Sequence, residues 1–396
     1  MKRLFNLCLA IALSVLSACG GGSGGTPAAG GSSPIVPAPV ALSNVLPMVV
    51  GAGPSNNVNI PFVSVRVCTP GTSDCRTIDK VLVDTGSTGL RLLSSAMSGL
   101  ALPPQTTTGS TVTLECAQFL SFVTWGPVKL ADIYLGGNKA PSVPLQVIAD
   151  PAYPVVPSGC SAAGPVAAGV GEIHANGILG VGVFVNDGQR YYNCAPTTPQ
   201  TRCSTVLTAA QQVQNPVAAL ETDNNGVVLQ LPAIAATGAR EVNGSLILGV
   251  GTRDNNQLGD ARVIQTDSRG YFSTTYKGVT LTNSFMDSGS NGLFFADASM
   301  PDCAGNLAGF YCPTTTQNLS ATVRLQNGSN ETINFSVGNA SSLLASSSFA
   351  YNNLGGGLAD VTFDWGLPFY FGRRVYSVIE GRNSTAGMGP LVAYTP

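Results

Sequence analysis

The sequence predicts an all-β protein of two related lobes with few short helices. Three observations lead there. Charged residues make up only 10% of the 396, while glycine (47) and proline (26) are abundant. Short apolar runs broken by turn formers fit strands better than amphipathic helices. One motif is also written twice: Val81-Leu82-Val83-Asp84-Thr85-Gly86-Ser87-Thr88-Gly89-Leu90 and Ser284-Phe285-Met286-Asp287-Ser288-Gly289-Ser290-Asn291-Gly292-Leu293. An apolar run ending in an acid and a glycine turn describes a buried strand that delivers a carboxylate to a tight loop. Two such loops, 203 residues apart, imply a duplicated unit that brings Asp84 and Asp287 together.

The chain opens with Lys2-Arg3 and an apolar run from 4 to 16, too short to span a bilayer comfortably. Leu16-Ser17-Ala18-Cys19 then resembles a bacterial lipobox. That resemblance implies a signal peptide over 1–18, cleavage before Cys19 and lipidation of its thiol. Gly20 rather than Asp follows the cysteine, which by resemblance to other lipoproteins favours the outer membrane, facing the periplasm or the cell surface. The competing reading is an ordinary secretory signal that ends near a cysteine. Residues 19–45 read as a flexible Gly/Pro/Ser tether. No later segment is apolar enough to span a membrane, so the lipid would be the sole anchor. No propeptide is expected between the tether and the first strand.

Strand texture begins at residue 46. Residues 58–67 alternate as a half-buried strand does, Cys68 to Cys75 reads as a stapled hairpin turn, and 78–83 returns as the strand entering the first acid loop. Residues 123–134 and 142–148 are further strands, divided by Gly136-Gly137-Asn138. A polar, cysteine-bearing loop covers 186–205, a helix is expected over 205–220, and Asn224-Asn225-Gly226 turns into a strand. Ser245-Leu246-Ile247-Leu248-Gly249 starts the second half, which gives an N-terminal lobe over 46–250 and a C-terminal lobe over 251–396. In that second lobe 318–337 reads as a hairpin through Asn327-Gly328 and 375–379 as a strand, with Phe369, Tyr370 and Phe371 as strand core.

Charge excludes some functions. Net charge is −2, and loss of Lys2 and Arg3 with the leader leaves 17 basic against 21 acidic residues. With no basic run, nucleic acid is not a partner. Cys8 and Cys19 lie in the leader region, which leaves Cys68, Cys75, Cys116, Cys160, Cys194, Cys203, Cys303 and Cys312. An even set in an exported chain predicts disulfides. Eight thiols allow 105 pairings, but Cys68–Cys75, Cys194–Cys203 and Cys303–Cys312 enclose short turn-rich segments and leave Cys116–Cys160 as the remainder. A zinc site is disfavoured, because no C-x-x-C occurs and His174 is the only histidine. The lone His174, read as a loop residue, also weakens any Ser-His-Asp or Cys-His chemistry. Gly177, Gly180 and Gly182 lack the βαβ context of a dinucleotide loop. No metal or cofactor is expected.

Taken together, the sequence resembles the pepsin-like aspartic proteases over nearly all of residues 55–396. The features that carry the likeness are the Asp84 and Asp287 loops, Asn176-Gly177-Ile178-Leu179-Gly180, Ser245-Leu246-Ile247-Leu248-Gly249, the segment from Leu367 to Tyr376, and Gly387-Met388-Gly389-Pro390. It also resembles a bacterial lipoprotein family of this pattern without assigned function. The resemblance implies a bilobed double-β-barrel fold and an aspartic endopeptidase, monomeric, acting on extended peptides or proteins. It implies Asp84 and Asp287 as the catalytic pair, with Thr85 and Ser288 bracing the two loops and Gly86, Ser87, Gly289 and Ser290 supporting the carboxylates. Two carboxyls so held share a proton, one taking a proton from water and the other donating to the scissile carbonyl. Two departures stand out. The flap hairpin over 114–126 has no tyrosine and offers Phe122 and Trp125 instead, and the second-lobe Leu-Gly-Asp is replaced by Leu367-Pro368-Phe369. The alternative function is a non-catalytic surface lipoprotein that binds peptide or glycan in the same cleft.

Overall fold

Strands dominate the computed structural model, which describes residues 42–106, 111–194, 204–206, 211–358 and 361–396. Six of them close a barrel. Strand Pro61–Cys68 pairs with Cys75–Asp84, which runs parallel to Gly177–Val181; that strand pairs with Thr88–Leu93, then Asn138–Ile148, then Val123–Leu135, which returns to Pro61–Cys68. The core inside is the apolar half of each alternating strand: Val65, Val81, Val83, Leu90, Leu92, Ile133 and Leu145 have no exposed surface.

An antiparallel sheet continues from the barrel, in the order Val45–Val50, Val242–Leu248, Gly226–Gln230, Arg374–Val378, Leu391–Tyr394 and Arg262–Gln265. It therefore draws strands from the beginning, the middle and the end of the sequence. Folded structure starts before the expected end of the tether at 45: Asn44 is buried and donates to Leu248 O, and Val45 opens the first strand. Cys19 and the rest of the leader lie outside the described residues.

The second sheet runs from Phe272 to Gly366 and holds the hairpin Gln317–Arg324/Asn330–Val337 and the strands Phe272–Tyr276, Val279–Asp287, Phe363–Gly366, Leu293–Phe295 and Gly355–Gly356. Its core is aromatic. Phe363 stacks on Trp365 at 4.2 Å and on Phe295 at 4.8 Å, and Phe335 meets all three edge-on.

The helix expected over 205–220 does not form among its described residues. Its described residues are the strand Ser204–Val206 and a run of turns. Pro216 cannot donate to a helical ladder, and the Asn215 side chain accepts from Val217 N while donating to Gly182 O, a turn made by side chain. Disulfides join Cys68 to Cys75, Cys116 to Cys160 and Cys303 to Cys312. The expected Cys194–Cys203 pair lies outside the described residues.

Candidate functional site

Each acid reaches the site by the same backbone device. Strand Cys75–Asp84 ends with Asp84 level with Gly180 of its parallel neighbour, and strand Val279–Asp287 ends with Asp287 level with Gly366 of its own. In both, the chain then turns and comes back antiparallel to that neighbour, as Thr88–Leu93 and Leu293–Phe295. Register thus makes Asp364-Trp365-Gly366 the counterpart of Ile178-Leu179-Gly180. Leu367-Pro368-Phe369, which the sequence reading took to replace the family's second-lobe Leu-Gly-Asp, follows directly after Gly366 in a short 3₁₀ turn, Leu367–Tyr370, with all four residues buried. The same turn corrects the reading of Phe369 and Tyr370 as strand residues.

The two loops are locked to each other. Thr85 N donates to Ser288 Oγ (3.1 Å) and Ser288 N to Thr85 Oγ1 (2.9 Å). Each hydroxyl then donates to a carbonyl of the opposite loop, Thr85 to Met286 O (3.1 Å) and Ser288 to Val83 O (2.7 Å). Within each loop the carboxylate accepts two further bonds. Gly86 N and Ser87 Oγ hold Asp84 at 2.8 and 2.5 Å, and Gly289 N and Ser290 Oγ hold Asp287 at 2.7 Å each. Glycine keeps both loops clear of the opposite carboxyl. A Cβ on Gly86 would lie 2.6 Å from Asp287 Cγ, and one on Gly289 would lie 2.8 Å from Asp84 Cγ.

Asp84 is buried. Burial pushes its carboxyl well above the usual range, and the charge of Asp287 and a carboxyl–carboxyl hydrogen bond push it further, against the opposing bonds from Ser87 and Gly86. The arrangement can therefore carry one proton on two carboxyls at a pH where an isolated pair would both be ionised. Aspartic protease dyads are the standard example of such sharing.

The family described as "Protein of unknown function (DUF3443)" matches residues 40–394. The chain belongs to that family. No curated protein matches it. Among solved structures it is similar to the aspartic proteinase from Irpex lacteus, with a TM-score of 0.48 and 17% identity over 89% of this chain and 96% of that one.

In this DUF3443 chain both acids line a cleft of about 470 Å³, whose walls are largely apolar, with Phe119, Phe122, Ile178, Phe294, Phe310 and Leu358 among them. Phe119 and Phe122 come from the tip of the hairpin Val112–Gln118/Val123–Leu135, where their rings lie 4.9 Å apart and Leu120 is 76% exposed. Trp125 does not reach the cleft. It sits opposite Cys116 in the hairpin, so both side chains share the face that packs on Cys160. There the indole donates to Tyr153 O and meets Tyr192 edge-on. His174 is a loop residue at the cleft wall, capping a one-turn helix in the left-handed conformation and hydrogen-bonded to Ser55 Oγ at 2.9 Å.

Two residues to which sequence reasoning gave no role at the site adjoin the dyad. The Tyr370 hydroxyl lies 2.8 Å from Thr85 Oγ1, on one loop only, and burial keeps it a neutral phenol. Asp364 is fully buried behind the second loop, its carboxyl raised by burial and by the charges of Asp287 and Asp84. The signal for Asp364 was present as a repeat, since Phe363-Asp364-Trp365-Gly366 parallels Gly177-Ile178-Leu179-Gly180 once the glycines are aligned.

Proposed function

We propose that this protein is an aspartic-type endopeptidase that hydrolyses extended peptides with a water activated between Asp84 and Asp287. The observation that carries this reading is the pair of carboxylates, each held by its own loop's glycine amide and serine hydroxyl, on loops cross-braced by Thr85 and Ser288. In the resting state Asp84 holds the shared proton. Asp287 accepts a proton from the water as its oxygen attacks the scissile carbonyl, and Asp84 donates to the carbonyl oxygen. The tetrahedral carbon then collapses with a proton passed to the leaving amine. No covalent intermediate is needed. The apolar cleft walls favour large apolar side chains around the scissile bond. In this reading the two lobes, 46–250 and 251–396, close on a peptide from either side, and a lipid on Cys19 holds the enzyme at the cell envelope.

The test incubates the purified full chain, Asp84→Asn and Asp287→Asn with a diverse peptide library between pH 3 and 7 and reads the products by mass spectrometry. Cleavage by the parent and by neither folded variant is the expected result. A second reading, a surface lipoprotein that binds peptide or glycan in the same cleft, is favoured by one feature: a hairpin tip of Phe119, Leu120, Ser121 and Phe122 has no side-chain hydroxyl of tyrosine to order a substrate. A folded parent that cuts nothing across that range makes binding the better reading.

A further inference from the structure

The two acid loops differ in what stands behind them. Ile178 is level with Leu82 and Asp364 with Phe285, each two residues before the glycine that faces the acid. Ile178 is apolar and lines the cleft. Its counterpart is a carboxyl with no exposed surface, and neither oxygen has a hydrogen bond of ordinary geometry. Strand alternation explains where it points: Phe363 and Trp365 face the aromatic core, so Asp364 between them faces the other way. The groups that act on it there are the Asp287 and Asp84 carboxyls, which share one proton and so carry net negative charge, and the hydroxyl of Ser290; the nearby Tyr370 is a neutral phenol. No cation pairs with it among the described residues. An ionised carboxylate has no compensation in such a place and takes up a proton instead. The neutral acid then has one O–H to donate.

We propose that Asp364 is a third, protonated member of this site, a positioning residue whose O–H is directed at Ser290 Oγ and so turns the Ser290 proton onto Asp287. Ser290 already donates to Asp287 at 2.7 Å. A hydroxyl that accepts one hydrogen bond donates a stronger one, so the Ser290–Asp287 bond is reinforced from behind. Ser87, with Ile178 behind it, receives no such help. The asymmetry leaves the shared proton on Asp84, the assignment the proposed mechanism requires. The effect on turnover rests on the hydrolase reading; the positioning role does not, and its test needs no turnover.

The experiment uses the full chain labelled with ¹³Cγ-aspartate, alongside Asp364→Asn, which keeps a neutral donor, and Asp364→Leu, which copies the apolar residue of the first loop. At pH 7 the infrared difference between parent and Asp364→Asn should contain the C=O band of a protonated carboxyl. In the carboxyl titration, the first midpoint of the Asp84–Asp287 pair should stay within about 0.3 unit of the parent in Asp364→Asn. In Asp364→Leu it should rise by at least about half a unit. Absence of the infrared band overturns the proposal. So does a midpoint that falls in Asp364→Asn, because that variant would then have removed a charge. A midpoint unmoved in a folded Asp364→Leu reduces the residue to packing and also overturns it. If Asp364→Leu does not fold, the infrared band and the Asp364→Asn titration decide. Expected titrations in a chain that cuts no peptide would sink the hydrolase reading alone, and cleavage with the wrong titrations would sink this one alone.

Discussion

At the scale of single residues, the site is defined by what each loop lacks as well as by what it carries. Gly86 is packed against Asp287, and its backbone is not in the left-handed region. An alanine there costs nothing in φ and acts only through the contact. Gly86→Ala should therefore leave the fold intact while pushing the two carboxyls apart by a fraction of an ångström to an ångström. Misplacement of that size costs roughly 10²-fold in rate. Peptide cleavage and circular dichroism on the same sample would check it, and a folded, fully active Gly86→Ala would contradict the site as described. Asp84 and Asp287 were legible in sequence because the motif occurs twice with the same residue types at the same offsets. Tyr370 and Asp364 were not. Asp364 reaches the second loop through strand register with Phe285, some 80 positions away, and Tyr370 reaches Thr85 across 285 positions, while a buried acid between two aromatics reads in one dimension as an ordinary alternating strand.

Elements carry the next set of constraints. The hairpin whose tip overhangs the acids is tied down twice at its base. Cys116 bridges to Cys160, a separation of 44 residues. Glu115, its neighbour on the opposite face, is fully buried and pairs at 2.6 Å with Arg91, which also holds Asp187 at 2.5 Å. Arg91 in turn lies under the Phe119 ring at 5.6 Å. Replacing both cysteines, Cys116→Ser with Cys160→Ser, should lower stability by roughly 2–4 kcal/mol. Its local signature is faster amide exchange from Phe119 to Phe122, with the barrel strands beneath unchanged. Exchange that accelerates evenly over the molecule would mean that the bridge supports the whole fold rather than the hairpin. The hairpin itself was placed over 114–126 by the family resemblance, and it forms there. The outcome for Trp125 was not legible, because sequence gives a residue's face only after pairing is known, and pairing set it opposite Cys116. The helix expected over 205–220 failed for a local reason, a proline preceded by an asparagine that caps its own turn.

For the molecule as a whole, buried acids set the response to pH. Asp84, Glu115 and Asp364 are all held above the ordinary carboxylate range, in each case first by burial. Unfolded, they would titrate near 4. Each binds its proton more tightly in the folded chain, so its contribution is fully present below that pH and is lost as pH rises through the folded midpoints. Asp297 works the other way. Hydrogen bonds from Tyr276, Ser299 and Lys277 outweigh its burial and bring it down to about 2, so its contribution disappears as pH falls toward that value. Thermal unfolding should give its highest Tm between about pH 3 and 5 and decline toward neutral; a Tm that climbs steadily to pH 7 would contradict this. The strand-rich character was legible from composition and the repeat, whereas the sheet that interleaves distant parts of the chain was not, since three of its pairings join residues about 130 to 200 positions apart. That sheet has a consequence for biosynthesis. Strand Gly226–Gln230 is an open, apolar edge until Arg374–Val378 arrives, and Arg374–Val378 is one until Leu391–Tyr394 closes it. A polypeptide interrupted anywhere before those last strands keeps an edge that neighbours can template on and proteases can enter. Burial of those edges thus waits on strands that lie some 150 residues further along the chain than Gly226–Gln230, and a chain lacking them presents the edge to solvent.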